Sequence, residues 1–257
     1  MRTLANYVEI VLFKAGAELR AEATRGYLGF VWWFMEPILY MAVFYVIFET
    51  GLRHGGTGFV PFLLCGLVAW KWFASTVVAG AGVMASNAAI MQQVYLHKAA
   101  FPVVLVAVNT FKFCLAEGLL LLYLAVGPDS TLSTEWLALP ALLGVEMLLI
   151  ISVTVLVAAV VPLIPDLKLL LDNAIALMFF VSGIFFKTAA MSPELQQWLR
   201  LNPMLLLIEA HRTVLLDRAP PHWEELVAIA LGSLVCLAVG LAVMNRFDRV
   251  YPKIVIR

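Results

Sequence analysis

Long apolar runs separated by short polar segments dominate the hydrophobic pattern of this chain. A membrane core of about 30 Å requires about 20 apolar residues in a helix, and six runs reach that length. The pattern therefore predicts an all-α membrane protein with six transmembrane helices. The predicted spans cover residues 29–50, 59–83, 101–126, 135–161, 167–186 and 223–244.

Two segments outside the spans have amphipathic patterns. Residues 1–28 favour a helix that lies along the membrane surface, although a cytoplasmic helix packed on its own protein fits the same pattern. Residues 85–100 are polar but contain regularly placed apolar side chains. That pattern fits a short cytoplasmic helix that contacts another protein, or one that folds back on its own bundle.

A third segment, residues 188–221, lies between predicted spans five and six. It is too polar to cross the membrane and too apolar for a free loop. Ser192-Pro193-Glu194 is typical of a helix start, and Asn202-Pro203 is expected to end that helix. Two short helices with a proline break predict a re-entrant hairpin in the outer leaflet, with a surface hairpin as the alternative. No other segment suggests a second domain, so residues 1–257 are expected to form one transmembrane domain.

Composition and charge support this topology. Hydrophobic residues make up 63% of the chain and charged residues 13%, far from the averages of soluble domains. The formal net charge is zero, which argues against a nucleic-acid partner. Ten Lys and Arg residues fall on the side of the two termini and five on the other. The positive-inside rule then places both termini in the cytoplasm.

Several charged residues lie inside the predicted spans. Glu36 follows a double tryptophan and enters an apolar run, so something other than lipid is expected to meet this face. Four further charges fall near the middle of the membrane: Lys71, Lys112, Glu117 and Glu146. Mutual pairing of these four would keep them satisfied, and a proton relay is the alternative.

Aromatic residues are concentrated in spans one and five. Trp33, Tyr40, Phe44 and Phe48 share one helical stripe. Aromatic rings can stack on sugar rings, whereas lipid-facing packing or an interfacial belt is the simpler explanation. The candidate residues of a substrate conduit are Trp33, Tyr40, Phe44, Phe48, Phe179 and Phe186.

Common catalytic and nucleotide-binding motifs are missing from the sequence. It contains no Gly-x-x-x-x-Gly-Lys-Ser/Thr loop, His-Glu-x-x-His or Gly-x-Ser-x-Gly. The four histidines lie in separate loop segments without the spacing of metal ligands. We therefore expect no catalytic residue, no metal and no cofactor on this chain.

Three stretches resemble the permease subunit of ABC transporters that export O-antigen, capsule or teichoic acid. They are Tyr27-Leu28-Gly29-Phe30-Val31-Trp32-Trp33 with Glu36-Pro37; residues 92–102 with Lys98 and Phe101-Pro102; and Leu201-Asn202-Pro203-Met204 followed by Ile208-Glu209-Ala210-His211-Arg212. Their order and spacing, together with six spans and cytoplasmic termini, extend the resemblance over nearly the whole chain.

The resemblance implies a homodimer in the bacterial inner membrane, bound to two copies of a separate ATPase subunit that binds the ATP. It implies that an undecaprenyl-linked polysaccharide passes between the two copies, with spans one and five as walls. It also implies that the ATPase grips the N-terminal helix and a coupling helix at residues 85–100, through Gln92, Gln93, Tyr95 and Leu96.

Two other functions fit the residues less well. An ABC permease for a drug or a small lipid would usually have a less aromatic first span. An intramembrane lipid-modifying enzyme would need polar catalytic residues facing one cavity, and no motif supports it.

Overall fold

The structure is a computed structural model that describes residues 2–24, 29–46, 58–93, 96–126 and 132–254, with the side chains of residues 2–8, 41, 44 and 45 left out. Over these ranges all regular structure is helical, and no strand is present. The all-α prediction is therefore confirmed. The helices are α1 (Arg2–Thr24), α2 (Gly29–Tyr45), α3 (Phe59–Ser86), α4 (Ala88–Gln93), α5 (Ala100–Val126), α6 (Leu139–Val160), α7 (Leu167–Val181), α8 (Pro193–Leu199), α9 (Pro203–Leu215), α10 (Trp223–Arg246) and α11 (Tyr251–Ile254), with 3₁₀ turns at Thr134–Ala138 and Thr188–Ala190.

Four of these helices are long and apolar enough to cross a membrane: α3, α5, α6 with the 3₁₀ turn before it, and α10. The chain is thus a multi-pass membrane protein. The helices in the other two predicted spans are shorter, since α2 has 17 residues and α7 has 15. Residues 47–50 of the first predicted span lie outside the described residues. The count of six spans stays a prediction.

Helix α3 lies at the centre of the bundle and packs against α5, α6 and α9. Small residues allow close helix contacts, as is common in membrane bundles. A Cβ atom placed on Gly240 of α10 would lie 3.0 Å from the backbone nitrogen of Leu156 in α6. At Gly80 of α3 it would lie 2.7 Å from a methyl carbon of Thr154. These two glycines bring α10 and α3 close to opposite sides of α6.

Helix α1 runs alongside the beginning of α5. Val11 and Ala15 are buried against Val104 and Val108, while Phe13 remains 80% exposed. The structure therefore shows α1 packed on its own protein, and its position along the membrane surface stays a prediction. One face of α1 packs on its own protein, and another keeps apolar side chains exposed, as a helix in contact with lipid would.

The segment after α3 contains the predicted short helix, α4. The ammonium group of Lys14 in α1 donates a hydrogen bond of 2.5 Å to the Oδ1 atom of Asn87, which separates α3 from α4. Behind α4, His97 contacts Asn245 at the end of α10, and Lys98 forms an ion pair with Asp248 at 3.9 Å. Helix α4 is therefore linked to both ends of the chain.

The last short helix, α11, is fixed to α6. The Tyr251 hydroxyl is buried and donates a hydrogen bond of 2.9 Å to the carbonyl oxygen of Ala159. Burial raises the pKa of Tyr251 to about 12, so the hydroxyl remains a donor at neutral pH.

At the opposite end of α3 lie α8 and α9, two short helices separated at Asn202-Pro203, and their arrangement as a hairpin stays a prediction. The first begins at Pro193, and the second follows Asn202, whose side chain accepts a hydrogen bond from the Met204 backbone N–H at 3.0 Å. The apolar run at the start of α9 is buried as expected, with Met204 and Ile208 fully enclosed. How deeply the hairpin enters the membrane stays a prediction.

Candidate functional site

A cavity of about 210 Å³ lies between α2, α3 and α5, near the middle of α3. We call it the mid-span cavity. Four aromatic side chains line it: Trp33 and Tyr40 on α2, Trp72 on α3 and Phe113 on α5. The Trp72 and Phe113 rings stack with centroids 4.0 Å apart and close one side.

Polar groups line the same cavity. Lys71 and Ser75 on α3 face it together with Asn109 and Lys112 on α5 and Glu36 on α2. The Lys71 ammonium lies 2.5 Å from Glu36 Oε1 and 4.1 Å from the centroid of the Tyr40 ring. The expectation that Glu36 meets something other than lipid is therefore confirmed. Rings and hydrogen-bonding groups together suit a ligand that has both apolar faces and hydroxyl groups.

The mutual pairing expected for the four central charges is wrong. Lys71 pairs with Glu36, and Lys112 pairs with Glu22 of α1 at 2.6 Å. Glu36 lies on α2 and Glu22 lies on α1, so the lysines pair with carboxylates outside the set of four charges. The sequence pattern indicated only that all four charges lie at a similar depth. Depth along a helix does not determine which face a side chain takes.

The two central carboxylates lie in the core and away from the lysines. Glu146 is fully buried and lies 3.5 Å from Nε2 of His211 in α9. Glu117 is 4% exposed, and its Oε1 atom has no hydrogen-bond partner among the described residues. None of these three residues lines the mid-span cavity. They do not form the cavity-facing cluster that an intramembrane enzyme would need.

The six predicted conduit residues are divided by the structure. Trp33 and Tyr40 both line the mid-span cavity. Phe179 packs against Trp70 of α3, with ring centroids 6.0 Å apart. Phe186 lines a second cavity at the far end of α3. The side chain of Phe44 and all of Phe48 lie outside the described residues.

The second cavity has a volume of about 640 Å³ and lies between the start of α3, the segment after α7, helix α9 and the start of α10. We call it the hairpin cavity. It lies at the opposite end of α3 from α4. No element of the sequence pattern predicted it.

Arg212 of α9 holds the hairpin cavity together. Its guanidinium group donates hydrogen bonds to the carbonyl oxygens of Phe62, Gly183 and Ile184 at 3.0, 2.7 and 2.9 Å. It also lies 3.4 Å from the centroid of the Phe62 ring. Gly183 has φ 72°, a conformation that only glycine adopts easily, and this turn ends α7 so that its carbonyl groups face the arginine.

Sequence reasoning missed the roles of Arg212, Asn109 and Ser75. The sequence pattern assigns Arg212 no partner, although Arg within an apolar helical run usually has a buried partner. Asn109 and Ser75 are polar residues in otherwise apolar spans, and that was the signal available. The partner of each lysine could not be found from spacing, because Lys71 and Glu36 are 35 positions apart and Lys112 and Glu22 are 90 apart.

The predicted contact helix, α4, has an exposed face. Ile90 is 41% exposed, and Gln92 and Gln93 are exposed beside it. Met91 instead packs into the cluster formed by α3, α5, α6 and α11. Leu96 packs partly against the same cluster, and Tyr95 lies outside the described residues.

Several known proteins are similar in sequence to this chain over most of its length. No protein-family model matches the chain. The chain is 27% identical over 240 residues to the O-antigen export system permease protein RfbA of Myxococcus xanthus, covering 92% of each chain. It is 22% identical to RfbA of Klebsiella pneumoniae, with 96% of this chain and 95% of the relative covered. It is also 21% identical to the polysialic acid transport protein KpsM of Escherichia coli, with 88% of each covered.

The similarity to these relatives covers between 88% and 96% of this chain. The three sequence stretches resemble the permease subunit of polysaccharide exporters, and two of these relatives are named O-antigen export system permease. The resemblance is thereby confirmed: over nearly its whole length, the chain is similar to permease subunits of polysaccharide-exporting ABC transporters.

Proposed function

We propose that this chain is the membrane subunit of an ABC exporter that moves a lipid-linked, O-antigen-like polysaccharide across the bacterial inner membrane. A separate ATPase subunit binds and hydrolyses the ATP, and both termini of this chain lie in the cytoplasm. The observation that carries the proposal is a cavity lined by aromatic rings and hydrogen-bonding groups, in a chain similar over 92% of its length to an O-antigen export permease.

The chemistry of the mid-span cavity suits a sugar. The apolar C–H face of a sugar ring can pack on Trp33 or Tyr40, while Asn109 and Ser75 can exchange hydrogen bonds with its hydroxyl groups. Lys71 and Glu36 are paired with each other, so the cavity carries opposite charges in contact. Contacts of this kind are weak, and a conduit needs sites that release a ligand as readily as they bind it.

The path for a whole polymer would lie between two copies of the chain. Helices α2 and α7 carry aromatic side chains that are partly open to the surroundings, with Phe30 53%, Tyr40 44% and Phe180 63% exposed. A homodimer that brings these helices together would line the path with rings. This arrangement supports spans one and five as its walls, in line with what the resemblance implies.

The ATPase would bind at the cytoplasmic helices α4 and α1. The exposed face of α4, with Ile90, Gln92 and Gln93, offers a small contact of mixed polarity. Lys14 connects α1 to the junction between α3 and α4. A movement of α4 would therefore be transmitted to α1. From α1 it would reach the mid-span cavity through the ion pair between Glu22 and Lys112.

Export in cells tests the proposal. We expect deletion of the gene to remove polymer from the cell surface and to leave lipid-linked polymer accumulated inside, with recovery on complementation. Normal surface polymer in the deletion strain, or loss of surface polymer without internal accumulation, would contradict an export role.

A further inference from the structure

The hairpin cavity lies beyond the end of α7, away from the mid-span cavity, and aromatic and charged side chains line it. Half-exposed rings of Phe59 and Phe186 lie on it, and the buried ring of Phe62 stacks near Phe59 with centroids 6.1 Å apart. Its volume of about 640 Å³ lies within the usual range for small-molecule sites, about 300–1,000 Å³. The rings provide flat apolar surfaces at the edge of a polar space.

The charged groups on the cavity balance one another. Three are cationic and three are anionic, and His222 is also present. The cations are Lys187, Arg200 and Arg212, and the carboxylates are Glu209, Asp217 and Glu225. A site for a phosphate or another anion would be expected to carry an excess of positive charge. The balance instead favours an uncharged ligand with many hydroxyl groups.

The cavity is built from fixed parts. Arg212 ties α9 to the start of α3 and the end of α7 through three hydrogen bonds. The hydroxyl of Thr188 donates a hydrogen bond to Glu209, and Arg200 forms an ion pair with Glu225 at 3.4 Å. These contacts bridge the hairpin, α9 and α10, so the walls are held in place before a ligand arrives. Preorganised polar groups lower the cost of binding.

We propose that the hairpin cavity binds an uncharged sugar unit of the polymer, one ring at a time, separately from the mid-span cavity. The inference rests on the proposed function, since it takes the exported polymer as the source of the sugar. Phe186 supplies a stacking surface, and the exposed Asp217 carboxylate accepts hydrogen bonds from hydroxyl groups. The site lies at the opposite end of α3 from the coupling helix, where it would hold the polymer as it leaves the path.

Binding can be measured on the full chain, purified with its ATPase in lipid nanodiscs. The probe is a lipid-free oligosaccharide released from the surface polysaccharide of the same cells, and saturation-transfer NMR detects weak contacts with protein protons. Phe186→Leu keeps an apolar side chain but removes the ring, and Asp217→Asn keeps the shape but removes the charge. Trp198→Leu and Glu194→Gln are matched controls on α8, because neither residue lines the cavity.

We expect each cavity variant to bind the oligosaccharide about tenfold more weakly, the change that loss of one charge-assisted hydrogen bond or one ring contact produces. The two α8 controls should bind the oligosaccharide like the wild-type protein, because neither residue lines either cavity. Wild-type binding in both cavity variants, no binding by the wild-type protein, or tighter binding of inorganic phosphate than of the oligosaccharide would overturn the inference.

The result can be separated from the proposed function by the deletion strain. If deletion abolishes export but the cavity variants bind sugar like the wild type, only the hairpin site is wrong. If deletion leaves export intact, the proposed function fails, whatever the cavity binds.

Discussion

Three cationic side chains in this bundle, Lys71, Lys112 and Arg212, are each satisfied by groups on other segments of the chain. Lys71 and Lys112 reach Glu36 and Glu22 at the edge of the bundle, and Arg212 reaches backbone carbonyl groups in its interior. The lysine pairs are partly exposed to a cavity, and the arginine is almost completely buried. The two kinds of site should therefore respond differently to substitution.

The first prediction concerns the Lys71–Glu36 pair. Glu36→Gln leaves Lys71 without a counter-ion and should lower stability by between about 1 kcal/mol, as for an exposed pair, and about 3 kcal/mol, as for a charge in hydrocarbon. Adding Lys71→Met should restore most of the loss. Thermal unfolding of the purified protein measures both, and a double variant less stable than Glu36→Gln would argue against pairing as the role of these residues.

The second prediction concerns Arg212. Arg212→Lys cannot reproduce three hydrogen bonds in one plane, so we expect a loss of about 3 kcal/mol or more, from about 1.5–3 kcal/mol per bond to a charged group. Arg200→Lys is the control. Its side chain is 53% exposed in an ion pair with Glu225, and such a pair contributes about 1 kcal/mol at most. Equal melting temperatures for the two variants would show that Arg212 does not hold the hairpin.

At the scale of elements, close approach between helices depends on single glycines. Helices α6 and α10 have the most extensive contact in the described part of the chain, and Gly240 lies within it. Gly232 lies on the same helix, two turns away, with nothing within 4 Å of the position of a Cβ atom. The two positions form a matched pair.

We therefore predict opposite effects for the two substitutions. Gly240→Ala should destabilise the protein by about 1–3 kcal/mol, because the added methyl group presses on the backbone of Leu156. Gly232→Ala should be neutral or should stabilise by up to about 1 kcal/mol, through helix propensity. The comparison uses thermal unfolding in one detergent, and a stabilising Gly240→Ala would mean that α6 and α10 are not in direct contact.

The exposed face of α4 leads to the next prediction. Ile90→Asp should lower co-purification of the ATPase subunit severalfold, because it places a charge where an apolar contact is proposed. Leu195→Asp on α8 is the control, with a side chain 45% exposed against 41% for Ile90 but located at the other end of the bundle. Equal ATPase recovery in both variants would exclude α4 as the docking site.

Element positions were well predicted from the sequence, and long-range partners were not. Apolar runs located α3, α5, α6 and α10, and local signals at Pro193 and Asn202 located the starts of α8 and α9, since these depend on nearby residues alone. The division of Tyr40 and Phe186 between two cavities depends on how helices pack, and a single sequence does not contain that information. Helix α7 is shorter than its apolar run because the turn at Gly183 ends it.

At the scale of the whole molecule, the two ends of the bundle carry different structural elements. One end carries α1, α4 and α11, joined through Lys14, Lys98 and Tyr251, and is proposed to receive the ATPase. The other carries the hairpin cavity, fixed by Arg212. The mid-span cavity lies between them, next to α2. This arrangement agrees with the proposed function, in which the ATPase acts at one end of the bundle and the polymer leaves at the other.

Transport by the purified complex is the most direct test of the central claim. The chain is reconstituted with its ATPase into vesicles that contain lipid-linked oligosaccharide from the same cells, and a glycosidase in the medium measures how much sugar remains accessible outside. With ATP added outside, we predict that the oligosaccharide becomes protected inside the vesicles, and that Tyr40→Ala slows this protection without reducing the amount of assembled complex. Accessibility that stays constant with active ATPase present would contradict the account.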